Sequence, residues 1–261
     1  MQQVIPLESD SSSLPRRLTA RDDVGPSGEL DGLDTVVSDV VRVDWVPPVE
    51  RFGWADRLDR LSGAEWRRRA WHFAPGLLPW ISCLVPHEDP LSLLYRASAV
   101  VVIGVLFIAA VLEFRKFRRR TDESRIGPIV GYTIPAFTLF LLFPAHVELA
   151  LVTLAIVAYG DGTATLVGRL FGERPLPWNP AKSWAGTIAF VLVAAPLASL
   201  AYWGEAQPEV SWSVAWVCGV TATLMAALAE SLPSRWNDNF RVGAAAAASV
   251  VATHAMLVGL A

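Results

Sequence analysis

Charge is scarce in this chain: 18% of its 261 residues are charged, against about 25% in an ordinary soluble domain. A globule of this length facing water on all sides would carry more, so a soluble enzyme is disfavoured. Cysteine is scarcer still. Cys83 and Cys218, the two present, lie in separate apolar runs far apart in sequence, which argues against a disulfide framework or a cysteine zinc site and leaves packing thiols. The common nucleotide signatures are missing too. A phosphate-binding loop would place glycine before its lysine, but Ala181 precedes Lys182, and no protein-kinase glycine-rich loop is visible. No basic stretch followed by an apolar one opens the chain, so the sequence predicts no cleavable signal peptide, and the first membrane segment is expected to act as its own insertion signal. The net charge is −3, and no nucleic-acid partner is expected.

What the chain has instead is apolar sequence, 53% of all residues, together with 11 tryptophans. Its fold class is read as all-α, a polytopic transmembrane helical bundle integral to the membrane, with a disordered N-terminal tail. Residues 1–60 form that tail: "ESDSSS" and "RDDVGPSGELDGLD" are polar and acidic and hold too few periodic apolar positions for a core. Residues 61–261 are expected to form the transmembrane domain. Around Trp54, Leu58, Leu61 and Trp66, apolar residues recur at helical spacing, which suits either an amphipathic surface helix or a plain linker. Seven spans are expected, at about 70–86, 91–113, 127–143, 147–160, 183–203, 212–232 and 242–260. The first contains Pro75, Gly76 and Pro79 and is expected to be kinked or re-entrant, and the fourth is expected to run past Gly160 and carry Asp161 into the membrane interface. Lysine and arginine fall in alternate loops: Arg67 to Arg69, the 115–125 cluster, Arg169, Arg174 and Lys182, then Arg235 and Arg241. The other loops, "HEDP", "PAHVE" and "GEAQPEVS", carry none, which predicts a cytoplasmic N-terminus in a multi-pass protein of the cell (inner) membrane.

Into this apolar background the stretch "YGDGTATLVGRLFG" sets an aspartate between two glycines. A carboxylate at the centre of a membrane helix costs roughly 2.5–3.5 kcal/mol on insertion scales, so Asp161 calls for a cation, a metal or a proton path. On a continuing helix, Thr165, Gly168, Arg169 and Gly172 share its face, and Gly160 and Gly162 admit a close backbone or phosphate. A plainer reading is an ion pair between Asp161 and Arg169 at a helix end. Further polar groups collect at the same predicted face. Ser183 can cap the next helix, and with Lys182 and Gly186 it makes an anion site. Glu230 ends the sixth span, Asp238 and Asn239 follow it, and His72 stands beside arginines at the first boundary. Carboxylates among cations and helix amides suit Mg²⁺ bound to nucleotide phosphates. His87, His146 and His254 fall at the opposite face and read as structural.

The segment "GDGTATLVGRLFGERPLPWNPAKSWAGTIAF" resembles the core motif of the dolichol kinase and phytol kinase family of integral membrane polyprenol kinases. "AESLPSRWNDNF" is similar to that family's glutamate-serine and aspartate-asparagine element, and "EWRRRAWHFAPG" to its N-terminal basic-histidine motif. Asn237 stands where an acidic residue is common, and "FRVG" replaces a more usual "LTVP". The resemblance implies phosphorylation of a membrane lipid alcohol such as phytol or dolichol by a nucleoside triphosphate, commonly CTP, with Mg²⁺. ATP is the alternative donor.

Asp161, Asp238 and Glu230 are the expected metal ligands, with Asp161 or Asp238 orienting the attacking hydroxyl. Lys182 and Arg169 are expected to stabilise the phosphates. Gly160, Gly162, Gly168, Gly172, Ser183, Gly186, Asn239 and His72 complete the expected nucleotide contacts. "GRLFG" and "NPAKSWAG" are also similar to phosphatidate cytidylyltransferases, but the chain ends in "AAAAASVVATHAMLVGLA" without their histidine-glycine-glycine and aspartate-arginine signature. "DGTATL" likewise breaks the CDP-alcohol phosphotransferase pattern. A transporter coupled through Asp161 and Glu230 would carry ionisable groups deep in several spans and on both faces. A non-catalytic scaffold is the remaining alternative.

Overall fold

The computed structural model describes residues 63–87, 90–117, 127–234 and 236–260, all within one unit, Phe52–Ala261. The expected tail, Trp54, Leu58 and Leu61 of the amphipathic stretch, and much of the 115–125 basic cluster lie outside the described residues. The chain runs through helix α1 (Gly63–Phe73), a 3₁₀ turn (Ala74–Leu77) and α2 (Leu78–Ser82), then α3 (Leu93–Phe117) and α4 (Gly127–Leu142). Next come α5 (Val147–Ala155), a π-helical turn (Ile156–Asp161) and α6 (Gly162–Phe171), then strands β1 (Pro175–Leu176) and β2 (Asn179–Ser183). Helices α7 (Trp184–Glu205), α8 (Trp212–Ser231) and α9 (Asp238–Leu257) complete the bundle.

Five helical stretches among the described residues are long and apolar enough to cross a membrane: Leu93–Leu112, the continuous Val147–Phe171, and α7, α8 and α9. Ile129–Leu142 is a shorter apolar helix. Six of the seven expected spans correspond to these helices. The fourth runs past Gly160, as expected, to make a 25-residue helical stretch that takes in the whole glycine-aspartate motif. The first, 70–86, is not a single helix. Pro75 and Pro79 sit at the starts of the 3₁₀ turn and of α2, where their missing N–H groups cost no bond but divide the segment into pieces too short to cross alone. Those pieces still link the two ends of the bundle: His72 lies against Asp161, whereas Ser82 donates to Glu205 at the far end of α7, at 2.7 Å.

Small residues set the packing. Ala194, Ala198 and Ala201 of α7 and Ala215, Ala222 and Ala226 of α8 are buried, and a β-carbon on Gly219 would stand 2.3 Å from Ser199 Oγ. Lipid gives helices no hydrophobic drive to associate, so small residues that bring backbones close are the available adhesive. Helix starts are fixed by caps: Ser183 Oγ accepts from Gly186 N–H, Ser211 Oγ from Val214 N–H, and Asn237 Oδ1 from Phe240 N–H. The antiparallel β1–β2 hairpin, Pro175 opposite Ser183, lies between α6 and α7 and delivers Lys182 to the bundle end just before the Ser183 cap.

Candidate active site

The polar site is assembled from five segments at one end of the bundle: the π turn, α1, β2, the end of α8 and the start of α9. The first is the π turn. Its wider i→i+5 geometry interrupts the 147–171 helix at Ile156–Asp161, and such insertions recur at functional sites because they re-aim side chains. Asp161 closes that turn and is 8% exposed. Its Oδ2 lies 3.5 Å from His72 Nε2, which is also 3.3 Å from the Val157 carbonyl. Tyr132 donates its hydroxyl to the His72 carbonyl at 3.1 Å, fixing α1 against α4.

The second group centres on Lys182. Its ammonium lies 2.5 Å from Glu230 Oε1 and 3.2 Å from Asp238 Oδ2. Burial alone would lower the Lys182 pKa, but Glu230, then Asp238 and Asp161, outweigh it and hold the ammonium above its usual value. The lysine is therefore a permanent cation. Arg241 closes the arrangement: Nη2 meets Asp238 Oδ1 at 3.0 Å, and Nη1 donates to the Leu232 carbonyl at 2.8 Å, so the α8–α9 turn is tied to the first turn of α9. The Asn179 amide donates to the Ser231 carbonyl at 3.0 Å and ties β2 to the same turn.

Two cavities meet at Asp161. One, of about 770 Å³, runs among α1 to α5, walled by apolar side chains such as Val102, Leu106, Phe137 and Leu151. The other, of about 440 Å³, is polar and is lined by Lys182, Ser234, Trp236, Asn237 and Asp238. Arg68, Asp161, Thr165 and Asn239 line both. Arg169 is exposed and lines the apolar cavity, not the pocket that holds Lys182.

The expected residues thus divide. Asp161, His72, Lys182, Glu230, Asp238 and Asn239 converge on one end of the bundle, while the glycines abut protein. A β-carbon on Gly160 would meet the Phe190 ring at 2.6 Å, and one on Gly162 would meet Phe73 at 2.7 Å. On Gly172 it would stand 2.0 Å from the Gly168 carbonyl oxygen, and on Gly186 it would be 2.8 Å from the Ala164 carbonyl oxygen. Gly168 faces Ser183 Oγ at 3.2 Å. These five positions are places of close packing between α1, α6 and α7. Sequence reasoning left Arg241 and Asn179 out of the site. The i,i+3 spacing of Asp238 and Arg241 is a helix-pair signal for the first, whereas no local pattern marks the second.

The donor set fits Mg²⁺. Asp161, Glu230 and Asp238 supply only hard oxygen ligands, yet among the described residues the one trio with ligand atoms all within 4.8 Å of one another is His146, Glu148 and His254, at the other end of the bundle. The site carboxylates form no closed cage, which suits a cation that is usually held by one or two carboxylates plus substrate phosphates.

Comparison with known proteins finds relatives named as kinases of isoprenoid alcohols. Chloroplastic phytol kinase 1 of Arabidopsis thaliana is 29% identical over 168 residues, 62% of this chain and 53% of the relative. Probable phytol kinase 2 of Oryza sativa subsp. japonica, also chloroplastic, is 39% identical over 170 residues, 63% of this chain and 53% of the relative. Chloroplastic farnesol kinase of Arabidopsis thaliana is 32% identical over 90 residues, 34% of this chain and 29% of the relative. The chain spans about half the length of the first two of these curated relatives. No family model matches the chain, and no solved structure does. With its helices suited to a membrane and its polar site at one end of them, the chain is similar to the phytol and farnesol kinases over part of their length.

Proposed function

We propose that this protein is a membrane lipid-alcohol kinase that transfers the γ-phosphate of a nucleoside triphosphate to an isoprenoid alcohol. The observation that carries the reading is the junction at Asp161, where an apolar cavity large enough for a lipid chain opens into a polar pocket holding Lys182 and Asp238. The isoprenoid chain occupies the apolar cavity with its hydroxyl at Asp161 and Thr165. The triphosphate occupies the polar pocket. Asp161 orients the hydroxyl and takes its proton as the oxygen attacks the γ-phosphorus, and the bond to the nucleoside diphosphate breaks. Lys182, Arg68 and Asn239 line the pocket where the phosphates would lie, and Lys182 offsets their charge. Asp161 and Asp238 would hold Mg²⁺, which when bound neutralises phosphate charge. Glu230, hydrogen-bonded to Lys182, positions that lysine. CTP is the donor the motifs favour, and ATP the alternative. Phytol, farnesol and dolichol are the candidate acceptors, the first two being what the relatives' names specify. The site shares its end of the bundle with Arg68, Arg69, Arg169 and Arg241, and the bias of basic loops places that end on the cytoplasmic or equivalent side.

The test uses full-length protein in nanodiscs with γ-labelled CTP or ATP and phytol, geranylgeraniol, dolichol, diacylglycerol or phosphatidate. Label in a lipid monophosphate is the expected result. Pyrophosphate release with a CDP-lipid product would establish cytidylyl transfer instead, and no transfer from either donor to any acceptor would overturn the kinase reading.

A further inference from the structure

The end of the bundle away from Asp161 holds a second cluster, which the kinase reading does not use. His146 stands just before α5 without making a side-chain cap, Glu148 lies in the first turn of α5, and His254 lies in the last turn of α9. Glu148 stands thirteen residues before Asp161 on one nearly continuous helix, about 20 Å away at 1.5 Å per residue. His146 Nδ1 is 3.3 Å from Glu148 Oε1, and His254 Nδ1 is 3.6 Å from the same oxygen. The two imidazole rings are 4.5 Å apart between centroids. Glu148 and His254 are each 1% exposed. Tyr202 Oη, fully buried, is 2.5 Å from His254 Nδ1, with its hydroxyl placed to donate there.

We infer that His146, Glu148 and His254 form a binding site for a divalent cation of the zinc class, separate from the catalytic end. The spacing is the first reason. Ligand bonds of about 2.0–2.1 Å in a tetrahedron place neighbouring ligand atoms about 3.3–3.4 Å apart, close to the two nitrogen-to-oxygen separations here. The donor set is the second, since two imidazoles and one carboxylate are a zinc set rather than a magnesium or calcium one. The third is hydrogen bonding: neither nitrogen of His146 has a hydrogen-bond partner, although both are buried. Imidazole nitrogens left without a partner in an apolar bundle are costly, and a cation would engage the lone pair of His146 Nδ1. Tyr202 must yield the Nδ1 lone pair it now occupies, and its oxygen is close enough to supply the fourth ligand. Bound there, the ion would tie the start of α5 to the end of α9 and hold the bundle at the end opposite the reaction.

The full-length protein in detergent, stripped with EDTA, is titrated with Co²⁺ and then with Zn²⁺, with bound metal and visible absorption as readouts. The expected result is about one Co²⁺ per chain, with the intense d–d bands of a four-coordinate nitrogen and oxygen site, displaced by Zn²⁺. His146→Ala and His254→Ala should abolish those bands and Glu148→Gln should weaken binding at least tenfold, while Asp161→Asn retains them. If buried His254→Ala fails to fold by circular dichroism, His146→Ala, at a less buried position, decides alone. No Co²⁺ at the micromolar level, or bands unchanged in His146→Ala, would overturn the proposal and leave a metal-free cluster held by the Tyr202–His254 hydrogen bond.

Discussion

Two helical stretches are both fit to cross a membrane, yet they use their sequences in opposite ways. Leu93–Leu112 has the higher mean hydropathy, 2.3, and none of it is buried within the protein; Val147–Phe171 has 1.6, and 67% of it is buried. The more polar stretch is therefore the inner one. Where the outer solvent is lipid, uniform apolar character marks the surface that faces out, while glycine, threonine and aspartate are affordable only where neighbouring helices satisfy them. A helix's departure from the apolar ideal is thus a better guide to the working centre than its hydropathy.

The sharpest way to break that comparison is Asp161→Asn on the inner stretch. It keeps the size of the side chain and removes its charge and basicity, so transfer should fall by roughly 10²–10⁴-fold in the labelled-phosphate assay, while thermal stability in detergent holds. A variant retaining full activity would remove Asp161 from the reaction. Lys182→Met is next, with a fall of roughly 10²–10³-fold and a pH signature. Because its neighbours raise the Lys182 pKa, its pairing contributes fully below the ordinary lysine value of 10.5 and is lost as pH climbs through the raised value. Wild-type melting temperature should therefore fall above pH 10.5 more steeply than that of Lys182→Met. The smallest effect contrasts the two stretches directly. Gly160→Ala drives a methyl group into the Phe190 ring and should destabilise by about 1–3 kcal/mol, whereas Val101→Ala, on the 65% exposed face of α3, should stay within about 0.5 kcal/mol in the same denaturation measurement.

Much of this was readable before any coordinates. Pro75 and Pro79 announced a broken first segment, because a missing N–H acts locally, and Ser183 announced a helix start for the same reason. The convergence of Asp161, Lys182, Glu230 and Asp238 followed from alternating basic loops, which sort helix ends without knowledge of packing. The π turn was not legible: "IVAYGD" has nothing that distinguishes an i→i+5 turn from another turn of an α-helix, although the passage of the span beyond Gly160 was. The glycines misled for a related reason. A residue without a side chain permits close approach by anything, and only the positions of Phe73, Phe190 and the Ala164 carbonyl say that protein fills the space. His146 and His254, read as structural, stand 108 residues apart in the sequence numbering and meet only because α5 begins where α9 ends.

The apolar cavity has one wall, α3, whose other faces are apolar and exposed. If the protein is the proposed kinase, an alcohol entering past that wall from the bilayer never passes through water, so the quantity that sets occupancy is its mole fraction among the surrounding lipids, not its amount per litre. On the kinase reading, diluting the alcohol with inert lipid at constant total volume should slow turnover, and adding buffer should not.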